Sequence, residues 1–264
     1  MVQPSAHAPE SRAPAGGPAV LRYVVPAFSE DWIIREEPVP ESAWHDGCLE
    51  RIKALLDAWI ARIARDAVVF RDIAVRVRRG RPEVGWNPDV CIVEPAPPGA
   101  SELESLRLWE HPPPRFTFEA VSPNHPYKDH AIVPEKCAVA GVGELAVFDP
   151  LLAGPRSHGG PWLLQLWRRA GDGGFERVHA GGDAAFSEIL GAWLVPDRVG
   201  RRLHVAGRAN GGEPWLTREE QAQQREEQAQ QREEQARQRE EQARQREQDA
   251  LRRVAELEAE LRRR

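Results

Sequence analysis

The stretch RFTFEAVSP, residues 115–123, decides the fold because it sets one carboxylate inside an otherwise apolar strand. Side chains alternate along an extended chain, so Glu119 shares its face with Thr117 and Val121, while two phenylalanines and Ala120 point to the opposite side. A buried carboxylate is costly unless a cation, a metal ion or several hydrogen-bond donors compensate it. Glu119 is therefore predicted to belong to a site.

A second acid opens the preceding apolar segment. The segment NPDVCIVEP, residues 87–95, carries Asp89 at the start of a predicted buried strand. Two carboxylates on neighbouring strands can share one divalent ion, because hard cations such as Mg²⁺ bind carboxylate oxygens. We predict that Asp89 and Glu119 together bind Mg²⁺ or Mn²⁺.

These motifs, taken in order, resemble a known family. Pro88-Asp89, the strand ending FEAVSP, an Asp at position 129, a helix, and then GVGE and FDP within residues 141–150 resemble the Uma-two family of the PD-(D/E)XK nuclease superfamily. The resemblance covers about residues 21–207. It implies an α+β fold, with an α/β/α-like restriction-endonuclease core that has a mixed central sheet and flanking helices. It also implies a metal-dependent endonuclease that acts on DNA, with Asp89 and Glu119 as metal ligands.

The third residue of the family site is a Lys on the helix that follows the Glu strand. Counted back from Gly141, that position holds Val133 in this chain, and Lys136 lies three residues later. Pro134 is tolerated only in the first turn of a helix, so the regular helix is predicted to begin near Val133. This start places Lys136 on nearly the same face as the family position. Lys136 is therefore the predicted catalytic lysine, with Lys128 as the second candidate.

Three polar residues near these motifs have plainer interpretations. Asp129 is expected to cap the helix rather than to bind metal. His45, in the first turn of an earlier helix, is expected at the surface or in a capping role rather than at a metal or phosphate. Asp149 is expected to be a turn residue rather than a ligand.

The segment before Asp89 contains a helix and a strand. Apolar residues recur every three or four positions from Ser42, the predicted N-cap, to about residue 65. Residues 68–77 alternate as a strand with a break near Asp72, and are predicted to form a hairpin with the strand that opens at Asp89, with residues 78–85 as the turn. The basic run RVRRGR, residues 76–81, is either a solvated strand end or a phosphate-binding groove. Residues 95–114 are predicted to be an excursion with one helical turn around 103–109.

Composition and repeats set the domain organisation. The chain has 264 residues, 41% of them hydrophobic, and a net charge of -5. We predict a disordered lead-in at residues 1–20, a nuclease-like domain at 21–207, a linker at 208–217 and a heptad-repeat helix or coiled coil at 218–264. The heptads place Glu at most a positions, which weakens a coiled-coil seam. No apolar run has the length of a membrane span and no signal peptide is recognised, so a cytoplasmic protein is expected.

Two functions follow from these patterns. The first is a divalent-metal-dependent endonuclease that hydrolyses DNA phosphodiester bonds through Asp89, Glu119 and Lys136. The second is a catalytically impaired scaffold or binding module of the same fold, favoured by Val133 at the expected lysine position. Either function is compatible with a homo-oligomer or protein partner bound through residues 218–264.

Overall fold

The computed structural model describes residues 20–21, 32–33, 42–155 and 160–263. All of the predicted lead-in except residue 20 lies outside this described part. The chain divides into two compact units, Met1–Trp215 and Leu216–Arg264. The domain limits at residues 20, 207 and 217 stay predictions. None of the helices within the described ranges combines the length and the apolar character that a membrane span needs.

The first unit is built mainly from short strands and two helices. In chain order its elements are β1 (Val20–Leu21), α1 (Ala43–Ile63), β2 (Val68–Arg71), β3 (Ala74–Arg78), β4 (Arg81–Trp86), β5 (Val90–Val93), β6 (Ser105–Arg107), β7 (Phe116–Ala120), α2 (Val133–Ala140), β8 (Glu144–Phe148), β9 (Leu164–Arg169), β10 (Phe175–Gly181), β11 (Ala185–Ser187), β12 (Ala192–Asp197) and β13 (Arg202–Ala206).

The strands form one large sheet and two small ones. The large sheet has the order β1-β10-β9-β8-β7-β5-β2, and its pairs are antiparallel except for the parallel pair β7–β8. The small sheets have the orders β11-β12-β13 and β4-β3-β6. The predicted α+β class, with a mixed sheet, accompanying helices and a long C-terminal helix, is confirmed.

Apolar side chains cover both faces of the large sheet. One face packs against α1 and the β11-β12-β13 sheet, and the other packs against α2 and the β4-β3-β6 sheet. The alternation predicted for residues 116–121 is confirmed, since Phe116, Phe118 and Ala120 lie in the first core and Val121 lies in the second. Strands β5, β7 and β8 are buried at every residue, as expected for strands covered on both faces.

Helix α1 begins and ends at residues that satisfy its free backbone groups. The Ser42 side chain accepts a hydrogen bond from the His45 backbone N–H, which confirms the predicted N-cap. The helix ends at Ala64, which adopts a left-handed conformation, with its N–H bonded to the carbonyl of Ile60. The buried side is the predicted apolar stripe, whose last member, Ile63, is exposed.

Three predictions for residues 68–114 are wrong. Asp72 has a positive φ of 55°, and the turn at this residue sends β2 and β3 into different sheets. Consequently β2 alone pairs with β5, and the predicted turn at 78–85 is mostly strand β4, which leaves Arg79 and Gly80 between β3 and β4. The helical turn expected at 103–109 lies earlier, at the 3-10 turn Ala100–Glu102, because β6 occupies the middle of the predicted segment and pairs in parallel with β3.

The second unit is a single helix, α3 (Arg218–Leu261), of 44 residues. It begins with a reciprocal capping box, in which Thr217 Oγ1 accepts from the Glu220 N–H and Glu220 Oε2 accepts from the Thr217 N–H. Its C-terminal half carries three exposed leucines, Leu251, Leu257 and Leu261.

Glu144 connects the large sheet to the β11 segment through a buried carboxylate. Its oxygens accept hydrogen bonds from Arg168 Nε at 2.7 Å, from the Ser187 hydroxyl and from the backbone N–H groups of Glu188 and Ile189. Glu144→Ala leaves these donors unpaired, so we expect it to lower the free energy of unfolding by about 3–5 kcal/mol, measured by urea titration.

The control for this variant is Asp57→Ala, which removes the exposed ion pair with Lys53 on α1. This pair is solvent-screened, so its loss is expected to cost less than about 1 kcal/mol. Equal losses in the two variants would contradict the structural role of Glu144.

Candidate active site

The candidate site lies where β5 begins and β7 ends. Val90 pairs with Phe118, so Asp89, one residue earlier, stands opposite Glu119. Asp89 Oδ2 accepts a hydrogen bond from the Ala120 N–H at 2.7 Å. The structure therefore brings the two predicted carboxylates together on neighbouring interior strands, at the end of the large sheet where β5 begins and β7 ends.

Glu119 is fully buried and poorly compensated. Its side chain is 0% exposed, and among the described residues neither Oε1 nor Oε2 accepts a hydrogen bond. Burial, followed by the charge of Asp89, holds the pKa of Glu119 well above its usual value, while the charge of Lys128 opposes this shift. Two buried oxygens without a donor are the feature that a bound cation would satisfy.

A π-helical turn, Lys128–Ile132, brings a second acid and a lysine to Glu119. Lys128 Nζ lies 3.7 Å from Glu119 Oε2 and 3.4 Å from Asp129 Oδ1. Burial raises the pKa of Asp129 to about 6; the Lys128 charge opposes this rise and the Asp89 charge adds to it. Asp89, Glu119 and Asp129 thus form one electrostatic cluster with Lys128.

The π-helical turn also explains why the capping role predicted for Asp129 is wrong. The backbone N–H of Val133 bonds to the carbonyl of Lys128, five residues earlier, so helical backbone continues upstream of α2. The regular helix begins at Val133, as predicted, but its N-cap is Ile132 and no side chain caps it. Asp129 therefore lies inside helical backbone, with its carboxylate buried near Lys128.

The two candidate lysines occupy different environments. The Lys136 residue is 6% exposed, and its Nζ lies 6.0 Å from the centroid of the Trp32 ring. Its charge lowers the pKa of Glu119 less than the charge of Lys128 does. The Lys128 side chain is 44% exposed, so it can contact both Glu119 and a molecule from solvent.

His45, on α1, lies at the same end of the large sheet, beside Asp89 and Ala120. The expectation of a surface or capping residue is wrong, because His45 is buried. Its Nε2 lies 2.9 Å from the Ala120 carbonyl oxygen and 3.5 Å from Asp89 Oδ2. A carbonyl can only accept, so Nε2 carries a proton and donates it to this bond. His45 and the Ala120 backbone together fix the position of Asp89.

A second buried network anchors the π-helical turn. Gln165 Nε2 lies 2.8 Å from His130 Nδ1, and His130 Nε2 lies 3.2 Å from Asp149 Oδ2. Asp149 also accepts from the N–H groups of Ala153 and Gly154, which confirms its predicted role in a turn. A Cβ at Gly154 would lie 2.3 Å from His130 Nε2, so this contact requires glycine. His130 is thereby held beside Asp129.

The donor set suits a hard divalent cation. Carboxylate oxygens are the ligands that Mg²⁺ prefers, and this ion commonly uses one or two protein carboxylates, with waters and substrate phosphates completing its shell. Within the described ranges, no group of three or more His, Cys, Asp or Glu side chains has a metal-binding arrangement. Asp89 and Glu119 are the two carboxylates at this site that could hold such an ion.

One signal in the sequence points to the lysines. The chain contains only three lysines, Lys53, Lys128 and Lys136, among many arginines, and two of the three lie at this site. Proximity in sequence to the FEAVSP strand alone does not separate Lys128 from Lys136. The π-helical turn distinguishes the two lysines, because it directs the Lys128 side chain towards Glu119.

Comparison with known proteins finds similarity among solved structures. No protein-family profile and no curated protein sequence matches the chain. Among solved structures, a "putative nuclease belonging to DUF820" from Anabaena variabilis ATCC 29413 is similar over 58% of this chain and 76% of its own chain. The sequence identity is 13% and the TM-score is 0.40.

The raised pKa of Glu119 predicts a pH-dependent stability. The folded-state pKa of Glu119 lies above the ordinary value of 4.5, so the folded protein retains a proton that the unfolded chain releases. The free energy of unfolding therefore falls as pH rises above about 4.5, until Glu119 is ionised in both states. In EDTA, Glu119→Gln is expected to stabilise the protein at about pH 8, and by less at about pH 5, because the amide removes the ionisation that burial opposes.

The matched control is Glu144→Gln, the same substitution at an equally buried glutamate whose oxygens are hydrogen-bonded. This variant is expected to be less stable than the wild type at both pH values. Urea titration measures the free energy of unfolding of both variants at both pH values. A destabilised Glu119→Gln variant would show that Glu119 is satisfied without a cation.

Proposed function

We propose that this chain is a divalent-metal-dependent endonuclease that hydrolyses DNA phosphodiester bonds at the site of Asp89, Glu119 and Lys128. The observation that carries the proposal is the pair of buried Glu119 oxygens, which accept no hydrogen bond from the described residues and lie beside Asp89 and Lys128. The resemblance of the PD and FEAVSP motifs to metal-dependent nucleases supports the same assignment.

The chain's own residues have distinct roles in this proposal. Asp89 and Glu119 would hold Mg²⁺ or Mn²⁺, with Asp129 adding negative charge nearby. When bound, the metal lowers the pKa of a water and polarises the phosphodiester. The Ala120 N–H and the His45 imidazole keep Asp89 in place. The exposed side of Lys128 would face the phosphate, where an ammonium stabilises developing negative charge.

Lys128 replaces Lys136 as the preferred catalytic lysine in this proposal. Lys128 combines contact with Glu119 and solvent access, whereas Lys136 is buried near Trp32. Lys136 retains a supporting role, because its charge also lowers the pKa of Glu119.

A non-catalytic scaffold is the second candidate function. It is favoured by Val133, which occupies the lysine position expected from the resemblance and is fully buried in the second core. In this case residues 218–264 would supply the working surface, through a second copy of the chain or a protein partner. The exposed leucines of α3 favour such a contact.

Metal binding separates the two functions. We expect the full chain to bind Mn²⁺ in titration calorimetry, and Asp89→Asn and Glu119→Gln each to weaken binding at least about tenfold, because each removes one anionic ligand. Asp57→Asn serves as the control, since this exposed carboxylate pairs with Lys53 on α1. A folded wild type that binds no Mn²⁺ would refute the nuclease proposal and favour the scaffold.

Cleavage of a supercoiled plasmid tests the assignment of the lysines. We expect Lys128→Met to lower kcat about 10²- to 10³-fold, the effect of losing one electrostatic donor to a transition state, with Mn²⁺ affinity retained. Lys53→Met, which alters an exposed pair on α1, is the control and is expected to leave the rate unchanged. Loss of activity in Lys136→Met but not in Lys128→Met would restore the prediction made from the sequence.

A further inference from the structure

The arginine hairpin is a basic surface element that the candidate site does not explain. We define the arginine hairpin as β3, β4 and the Arg79-Gly80 turn between them, residues 74–86. It carries four arginines, Arg76, Arg78, Arg79 and Arg81, against one acidic residue, Glu83. The chain as a whole has a net charge of -5, so this local excess of positive charge runs against the average.

We propose that the arginine hairpin binds backbone phosphates of duplex DNA that flank the candidate active site. This inference rests on the proposed function, since it names the element that would hold the substrate.

The one acidic residue of the arginine hairpin, Glu83, pairs with Arg81, and like charges meet elsewhere on the same strands. Arg76 pairs with Arg107 of β6 in the β3–β6 register, and like charges on directly opposite residues destabilise a sheet. Arg107 is partly compensated by Glu110 at 3.4 Å, and Arg76 Nη1 donates to the Pro82 carbonyl at 2.7 Å. A polyanion would relieve this repulsion, because arginine recognises phosphate through its forked set of donors.

The hairpin is held firmly at its base. Val75 and Trp86 are buried in the second core. A Cβ at Gly85 would lie 1.8 Å from the Val75 carbonyl oxygen, so the two strands approach too closely there for any other residue. Arg78 and Arg79 stand exposed at the opposite end. A fixed base with exposed arginines at the tip presents charge at a defined position, which lowers the entropic cost of binding.

The base of the hairpin adjoins the candidate site. The Asp72 N–H donates to the Asp89 carbonyl at 3.3 Å, so the chain leaves and re-enters the large sheet beside the metal-binding carboxylate. Arg78 lies six residues beyond Asp72, which corresponds to about 20 Å along a strand. A rise of about 3.4 Å per base pair makes this about six base pairs of DNA. One duplex can therefore span both the site and the tip of the hairpin.

Salt-dependent DNA binding tests this inference. The probe is a fluorescent duplex of about 30 base pairs with random sequence, bound by the full chain in EDTA and followed by anisotropy. The double variant Arg78→Gln/Arg79→Gln is expected to raise Kd about tenfold or more. Its plot of log K against log salt should be less steep by about 2, because each lost phosphate contact removes about 0.9 from the slope.

The matched control is Arg198→Gln/Arg202→Gln, at the turn between β12 and β13 in the same unit. These arginines are also exposed, and the change in net charge is identical. Their sheet packs on the opposite face of the large sheet, so the control is expected to change Kd less than about twofold and to leave the slope unaltered. Equal weakening in both double variants, no change in Arg78→Gln/Arg79→Gln, or no duplex binding by the wild type would each overturn the inference.

Failure of the inference is distinguishable from failure of the proposed function. A chain that binds Mn²⁺ and cleaves plasmid, with affinity independent of Arg78 and Arg79, would reject the hairpin and keep the nuclease. A chain that binds no metal, yet binds duplex through Arg78 and Arg79, would reject the nuclease and keep the hairpin as a DNA-binding element.

Discussion

The buried carboxylate of Glu119 is the constraint on which the site depends. Glu119 lies on a strand that is covered on both faces, so water cannot solvate its charge. The strand cannot avoid this burial, because Phe116, Phe118 and Ala120 on its other face form part of the first core. The fold therefore has to place positive charge near Glu119. Lys128 supplies part of it, and the raised pKa of Glu119 shows that this part is incomplete. This imbalance is the physical basis for expecting a cation.

The π-helical turn places the positive charge of Lys128 beside the buried carboxylate of Glu119. An ordinary α-helical turn before Val133 would rotate Lys128 and Asp129 by a different angle about the helix axis, since one extra residue is accommodated between residues 128 and 132. The widened turn is held from behind by His130, which lies between Asp149 and Gln165. The cluster at Glu119 is thus connected to β9 and to the loop after β8. The precision of the site depends on buried contacts that lie outside it.

The sequence predicted those parts of the structure that depend on local rules. The alternation of residues 116–121, the Ser42 cap and the start of α2 at Val133 each follow from strand periodicity, capping chemistry or the restriction imposed by Pro134. The errors arose where a single backbone angle or a contact with a residue distant in sequence decides the structure. The left-handed turn at Asp72 splits one predicted strand between two sheets. Asp129 and His45 were misassigned because their environments are created by the π-helical turn and by α1 packing beside Asp89.

The choice of lysine at the site is itself informative. Arginine supplies nearly all of the positive charge in this chain, including the exposed pairs of α3 and the arginine hairpin. Lysine occurs three times, and the charges of two of these residues, Lys128 and Lys136, lower the pKa of Glu119. A guanidinium is a planar fork that can hydrogen-bond a carboxylate, whereas an ammonium is a compact point charge on a flexible stem. The two buried glutamates of the large sheet differ in this respect: Arg168 Nε donates to Glu144 at 2.7 Å, whereas Lys128 Nζ lies 3.7 Å from Glu119 and makes no hydrogen bond with it. Glu144 is therefore satisfied within the protein, and the oxygens of Glu119 stay available to a further cation.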